Sequence, residues 1–193
     1  MLETGIPNRR GVFGLVGKGI LSVAAVGILG NSAAMAGAKG KSGGKQGDID
    51  ILNVALGLEH EAIEAYQIGA ESGLLQKPVL DVAVVFQGHH KGHRDALAGA
   101  IKTLGGTAVE PKSRADYVAS LGAAAIKSQT DILRLAQKLE KGAANAYIGV
   151  IPSFTDKSFS QVSAKLAADE ATHWAILSNA LGDPLPASPL IFG

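Results

Sequence analysis

Two stretches of this chain repeat one another in pairs, and the repeat limits what the chain can fold into. Leu58-Glu59-x-x-Ala62-x-x-Ala65-Tyr66 returns as Leu139-Glu140-x-x-Ala143-x-x-Ala146-Tyr147, with Glu59 and Glu140 standing 81 residues apart. His89-His90-x-x-His93, followed by Leu97, is matched by Asp169-Glu170-x-x-His173, followed by Leu177, and His90 and Glu170 stand 80 residues apart. Two matches at almost one offset predict two similar helical hairpins. The chemistry-bearing residues are spaced by three and four, as neighbours on a helix face are.

Breakers place the helices. Asp48 or Asp50 can cap a first helix that runs to about Ala70 before Gly73. Pro78 suits the opening of a second, ending near Leu104 at Gly105-Gly106. A short helix is expected over 114–121. A long third helix follows from about Ala125 to Val150, stopped by Pro152. Asp156 can cap a fourth, ending near Leu181. The short links within each pair predict antiparallel hairpins. The long link between helices 2 and 3 is what a crossover along the bundle requires. The expected fold is therefore all-α, a four-helix bundle of two hairpins with a crossover. Its hydrophobic content, 47% with only 5% aromatic, suits closely packed helices.

Counting 100° per residue, Ile51, Leu52, Ala55, Leu58, Ala62, Ile63 and Tyr66 form a stripe roughly 140° wide on helix 1, and Glu59 lies within it. His60, Glu61 and Glu64 fall outside it and are expected to face solvent. On helix 3, Glu140 lies among Ile132, Leu133, Ala136, Leu139, Ala143 and Tyr147. On helix 2, His89, His90 and His93 share the stripe of Val82, Val85, Phe86, Leu97, Ile101 and Leu104. On helix 4, Asp169, Glu170 and His173 share that of Val162, Leu166, Ile176, Leu177 and Ala180. Buried carboxylates are costly unless paired or bound to a cation. A pair of divalent ions held by Glu59, His90, His93, Glu140, Glu170 and His173 resolves that cost, since carboxylates bridge hard ions and imidazoles complete each one. Tyr66 and Tyr147 read as core aromatics whose hydroxyls need partners, with a ligating carboxylate as one choice. His89 reads as an outer partner or a solvent-facing residue, and Trp174 as packing.

Over residues 48–182 the pattern resembles the ferritin-like superfamily of di-iron carboxylate bundles, including rubrerythrin and desiccation-related relatives. That family pattern is a Glu from each of two helices and Glu-x-x-His from each of the others. The resemblance implies that Glu59 and Glu140 are the single glutamates and that Glu170 and His173 form one Glu-x-x-His. It implies that Asp169 bonds a ligating histidine on the facing helix. His90 departs from it, standing where the second glutamate belongs. That removes a charge and a bridging ligand and makes the two metal positions unequal. Iron is the metal the resemblance implies, with manganese, zinc or copper as alternatives. It implies an oxidoreductase acting on ferrous iron, oxygen or peroxide. A non-catalytic protective bundle and a metal-free interaction module are the alternatives.

Ahead of the bundle, Asn8-Arg9-Arg10, an apolar run from Gly11 to Gly30 broken by Lys18, and Ala34-Met35-Ala36 have the order of an export signal cleaved before Gly37. Arg9-Arg10 with Phe13 and Leu15 resembles a twin-arginine signal, which would engage that translocation machinery and deliver the protein to the periplasm. A retained membrane anchor is the alternative. Residues 37–47 read as a flexible linker and 183–193 as a tail. The formal net charge of +1 gives no case for nucleic acid. With no cysteine, thiolate metal sites and a rubredoxin-like electron entry are excluded. Nothing in the pattern decides on a homo-oligomer.

Overall fold

A computed structural model describes residues 44–193. The expected export signal and all but the end of the expected linker lie outside the described residues. Within them the chain is helical, without strands: α1 (Lys45–Glu71), α2 (Lys77–Thr103), α3 (Arg114–Ser120), α4 (Gln129–Val150) and α5 (Lys157–Ala180), with short 3-10 turns at Ala123–Ala125 and Ile151–Ser153. No described helix is long and apolar enough to cross a membrane.

Helix α1 begins a turn earlier than its sequence predicts. Neither Asp48 nor Asp50 caps it, because both lie inside it. Asp48 is buried, and its carboxylate accepts the backbone N–H groups of Thr155 and Asp156 at 2.8 and 3.0 Å. The residue that could have started α1 instead secures the turn that starts α5. Asp156 in turn caps α5 through the Ser158 N–H at 2.8 Å. Helix α4 starts at Gln129 rather than near Ala125, because Ser128 and Asp131 form a local cap. The Ser128 hydroxyl accepts the Asp131 N–H, and the Asp131 carboxylate accepts the Lys127 N–H. Pro78 sits in the first turn of α2, where no intrahelical donor is needed.

Named contacts give the helix directions. Glu59 meets His90, and Ile63 and Gln67 meet Gln87, so α1 and α2 are antiparallel. Tyr147 meets Ser163 and Gln137 meets Ser178, so α4 and α5 are antiparallel too. Tyr66 reaches Glu140 and Tyr147 reaches Glu59, which makes α1 antiparallel to α4.

The segment from Leu104 to Ser128 leaves α2 at a tight turn. There Gly105 has φ +72° and the Gly106 N–H bonds Ile101 O at 2.9 Å. A side chain at Gly106 would stand 2.8 Å from Ile49 Cγ2, so the turn lies directly on α1. The segment then follows the outer face of α1. Asn53 brackets Thr107 and Val109, His60 bonds Val109 O at 3.1 Å, and Arg114 pairs with Glu64 and Glu71. The solvent expected at His60, Glu61 and Glu64 is thus replaced by this segment. Glu61 is buried, and burial pushes its carboxyl above the usual range against the pull of Lys112.

Two apolar clusters fill the bundle. One gathers Leu52, Leu56, Leu97, Ile101, Val150 and Leu166 with their neighbours, and the other gathers Tyr66, Phe86, Leu133, Ala136 and Leu177. Beside the second is a cavity of about 160 Å³. Val82 and Ile176 line it and are 39% and 43% exposed, and Val85 is 53% exposed, so these three are less buried than the stripes predict. The tail folds back along α4 and α5. Phe192 meets Trp174 edge to face, and the Gly193 N–H bonds the Asn145 side chain.

Asp48→Ala should leave two backbone donors unpaired at the start of α5 and cost about 2–3 kcal/mol. Urea unfolding at neutral pH measures it. A loss within about 0.5 kcal/mol would show that water replaces the carboxylate.

Candidate metal centre

Between the two apolar clusters lies a polar layer. Glu59 comes from α1, His90 and His93 from α2, Glu140 from α4, and Glu170 and His173 from α5. All six are buried, four of them to 1% exposure or less. Each sits one helical step from large apolar residues, so the helix phase that buries Leu56, Leu97, Leu139 and Leu166 also turns these groups inward.

The layer has two halves. In one, His90 Nδ1 lies 2.8 Å from Glu59 Oε2, and His93 Nδ1 lies 3.2 Å from Glu170 Oε1 and 3.6 Å from Glu59 Oε1. In the other, His90 Nε2 lies 3.3 Å from Glu140 Oε1. His173 Nδ1 lies 3.1 Å from Glu170 Oε2 and 3.5 Å from Glu140 Oε2. Glu170 turns one oxygen to each half, and His90 turns one nitrogen to each. Ligand atoms of Glu59, His90, His93 and Glu170 lie within 4.8 Å of one another, as do those of His90, Glu140, Glu170 and His173.

Outer partners cross between the hairpins. The Tyr66 hydroxyl donates to Glu140 Oε1 and the Tyr147 hydroxyl to Glu59 Oε1. Burial and the neighbouring carboxylates push both phenols well above their ordinary range, so they stay protonated donors. His93 Nε2 donates to Asp169 Oδ2 at 3.1 Å, and His173 Nε2 shares a proton with His89 Nδ1 at 2.9 Å. These two bonds are mirror images under the sequence repeat, which aligns His89 with Asp169. Asp169 and His89 are themselves exposed at the rim. Phe86 stacks on His173 with ring centroids 4.1 Å apart. Its role as a wall of the layer was not read from sequence, although its place one turn before His90 is the signal for it.

Burial raises the carboxyls, but bonds from the histidines outweigh it at Glu59 and Glu140, which fall below the usual range. At Glu170 burial prevails and the carboxyl is raised. Burial lowers the imidazoles, yet the carboxylates overcome it. His90 is held well above its ordinary value, His173 is raised, and His93 is raised to about 10.

The donor set suits a cation. His93 Nδ1, Glu140 Oε2 and Glu170 Oε1 are fully buried and make no hydrogen bond. They meet only ion-pair partners at 3.2–3.8 Å, and oxygen and imidazole donors in this number suit divalent first-row ions. Buried His and Glu groups capable of holding metal are therefore a property of this structure.

The sequence model of the ferritin-like domain matches residues 47–183. No curated protein matches the chain. Among solved structures, the crystal structure of a conserved hypothetical protein from Mycobacterium tuberculosis is similar in fold. Its TM-score is 0.59 at 21% identity, over 75% of this chain and 99% of that one. With the domain model spanning most of its length and the fold agreeing, this chain belongs to the ferritin-like domain family.

Proposed function

We propose that this protein is an exported ferritin-like four-helix bundle that binds two divalent ions, iron foremost, and oxidises ferrous iron or reduces oxygen or peroxide. The observation that carries the metal reading is the two groups of four buried ligand residues, Glu59, His90, His93, Glu170 and His90, Glu140, Glu170, His173, each with its ligand atoms within 4.8 Å of one another. The ferritin-like topology is supported by the helix directions, with the 104–128 segment as the crossover. Export to the periplasm, through the twin-arginine machinery, rests on the order of Arg9-Arg10, the apolar run and Ala34-Met35-Ala36. Oxidoreductase chemistry rests on the family and on the donor set.

Glu59, His90 and His93 would hold one ion, Glu140 and His173 the other, and Glu170 both. When bound, such ions supply one-electron and oxygen chemistry. The chain's own groups prepare the layer for it. Tyr66 and Tyr147 each fix one carboxylate rotamer by holding one oxygen, Oε1 of Glu140 and Oε1 of Glu59. Asp169 fixes the His93 tautomer with Nδ1 inward. Phe86, Leu139 and the second apolar cluster make that side apolar. No thiolate is present to deliver electrons, so they come from the metal substrate or an external donor.

A second reading is a metal-free bundle, protective or an interaction module. It is favoured by the imidazoles themselves, which as cations can neutralise three glutamates.

Protein purified through its native export route should carry about two equivalents of iron or manganese, lost in the Glu140→Ala, Glu170→Ala double variant. Turnover with ferrous iron or peroxide then separates an enzyme from a protective binder. A folded wild type without metal would sink the metal reading.

The metal-free protein should lose stability as pH rises. His93 binds its proton more tightly when folded, about 10 against 6.5, so its contribution is complete below pH 6.5 and is lost as pH climbs through about 10. Urea unfolding of chelated protein across that window should show a falling midpoint, and His93→Gln should flatten the slope. An equal slope in the variant would contradict the assignment.

A further inference from the structure

His93 and His173 are built as ordinary metal ligands. Each turns Nδ1 into the layer and gives Nε2 to an outer partner, Asp169 or His89. His90 is built otherwise. Its ring is 1% exposed, and it has no outer partner. Nδ1 faces the Glu59 half at 2.8 Å, and Nε2 faces the Glu140 half at 3.3 Å. Both nitrogens are spent inside the cluster.

Resting on the two-metal reading above, we infer that His90 bridges the two ions as an imidazolate. Nδ1 binds the ion held by Glu59, His93 and Glu170, and Nε2 binds the ion held by Glu140, Glu170 and His173.

Donor number supports the bridge. The two groups of ligand atoms hold four residues each only because His90 and Glu170 belong to both. If His90 served one ion alone, the other would keep three residues. Charge supports it as well. Glu59, Glu140 and Glu170 carry three negative charges, and an imidazolate supplies a fourth, matching two divalent ions in a layer whose six side chains are buried. A neutral His90 would leave one positive charge among the buried ligands, countered only by the half-exposed Asp169 carboxylate behind His93. The imidazolate thus restores the charge that a glutamate at position 90 would have brought. The proton balance is simple. In the metal-free layer both ring nitrogens carry a proton, and the first ion displaces one of them to solvent. As the second ion binds, the electron pair of the remaining N–H makes the new bond and that proton leaves to solvent as well. No electron is transferred.

The bridge sets a distance. An ion stands ~2 Å beyond each ring nitrogen, so imidazolate-bridged ions lie about 6 Å apart. Ions in two-metal sites bridged by carboxylates and no imidazolate lie ~3.5–4 Å apart, whereas at about 6 Å Glu170 gives one oxygen to each ion in an extended mode. Zinc accepts imidazole, is redox-silent and scatters anomalously, which makes it the probe.

Anomalous diffraction from zinc-loaded crystals of the full chain and of His90→Glu measures both spacings. The expected result is about 6 Å in the wild type and below about 4 Å in the variant. A wild-type pair already below about 4 Å would overturn the bridge and leave the two-metal reading standing. A wild type that binds no pair would remove both. Should His90→Glu not fold, His90→Gln, which cannot span two ions, replaces it. Its second zinc should be lost to chelator at least 10-fold more readily than in the wild type. Equal retention in a folded His90→Gln protein would overturn the bridge.

Discussion

Three carboxylates at the centre of a helical bundle demand positive charge, and most of this structure can be traced to how that demand is met. Glu59, Glu140 and Glu170 are almost wholly buried, where an unpaired carboxylate would cost several kcal/mol. Neither hairpin can settle the charge alone. Glu59 depends on Tyr147 from the other hairpin, and Glu140 depends on Tyr66 and His90. His93 leans on Asp169 and His173 on His89, again across the divide. The apolar clusters on either side give the hairpins surface to bury. The polar layer gives them one register, because a slip of a single helical turn would strand every one of these groups.

How much of this could be read from the residues depends on whether the signal was local. The repeated Leu-Glu-x-x-Ala and x-x-x-x-His patterns carry helix phase, and phase alone turns Glu59, Glu140, His90, His93, Glu170 and His173 inward. The structure gathers all six in one layer. Caps formed by neighbours in sequence were legible as well, as at Asp156. What escaped was decided by partners far along the chain. Asp48 looks like a helix start and instead serves Thr155 and Asp156, more than a hundred residues away. His60, Glu61 and Glu64 carry the polarity of an exposed face, yet the 104–128 segment lies over them. Periodicity reports which face is apolar and cannot report a connection laid across the other.

The exposed valines show a different limit. Val82 and Val85 belong to the apolar stripe of α2, and the stripe is real near Leu97 and Ile101, which are almost inaccessible. Toward Pro78 the side chains facing one another across the helices do not fill the space, and a cavity opens. Sequence pattern assigns a face to each residue but not the distance between faces. That distance matters here, because the cavity reaches Phe86 and Tyr66, and Phe86 stacks on His173 while Tyr66 bonds Glu140. One side of the polar layer therefore rests on a loosely filled apolar space, the other on a tightly filled one.

The repeat makes the two halves of the layer similar, and two substitutions within it make them unequal. His90 stands opposite Glu170, and His89 opposite Asp169. The second difference acts through the first ligand it touches. An aspartate behind His93 draws its N–H outward and makes Nδ1 a stronger donor, whereas an imidazole behind His173 does so less. The half containing Glu59 and His93 should thus hold a cation more firmly than the half containing Glu140 and His173. Shared ligands between unequal halves would couple two bound cations, since whatever bound at the first position would orient His90 and Glu170 for the second. Filling of the layer would then proceed in order, from the Asp169-backed half inward, and the asymmetry visible at two positions of the sequence would set the direction.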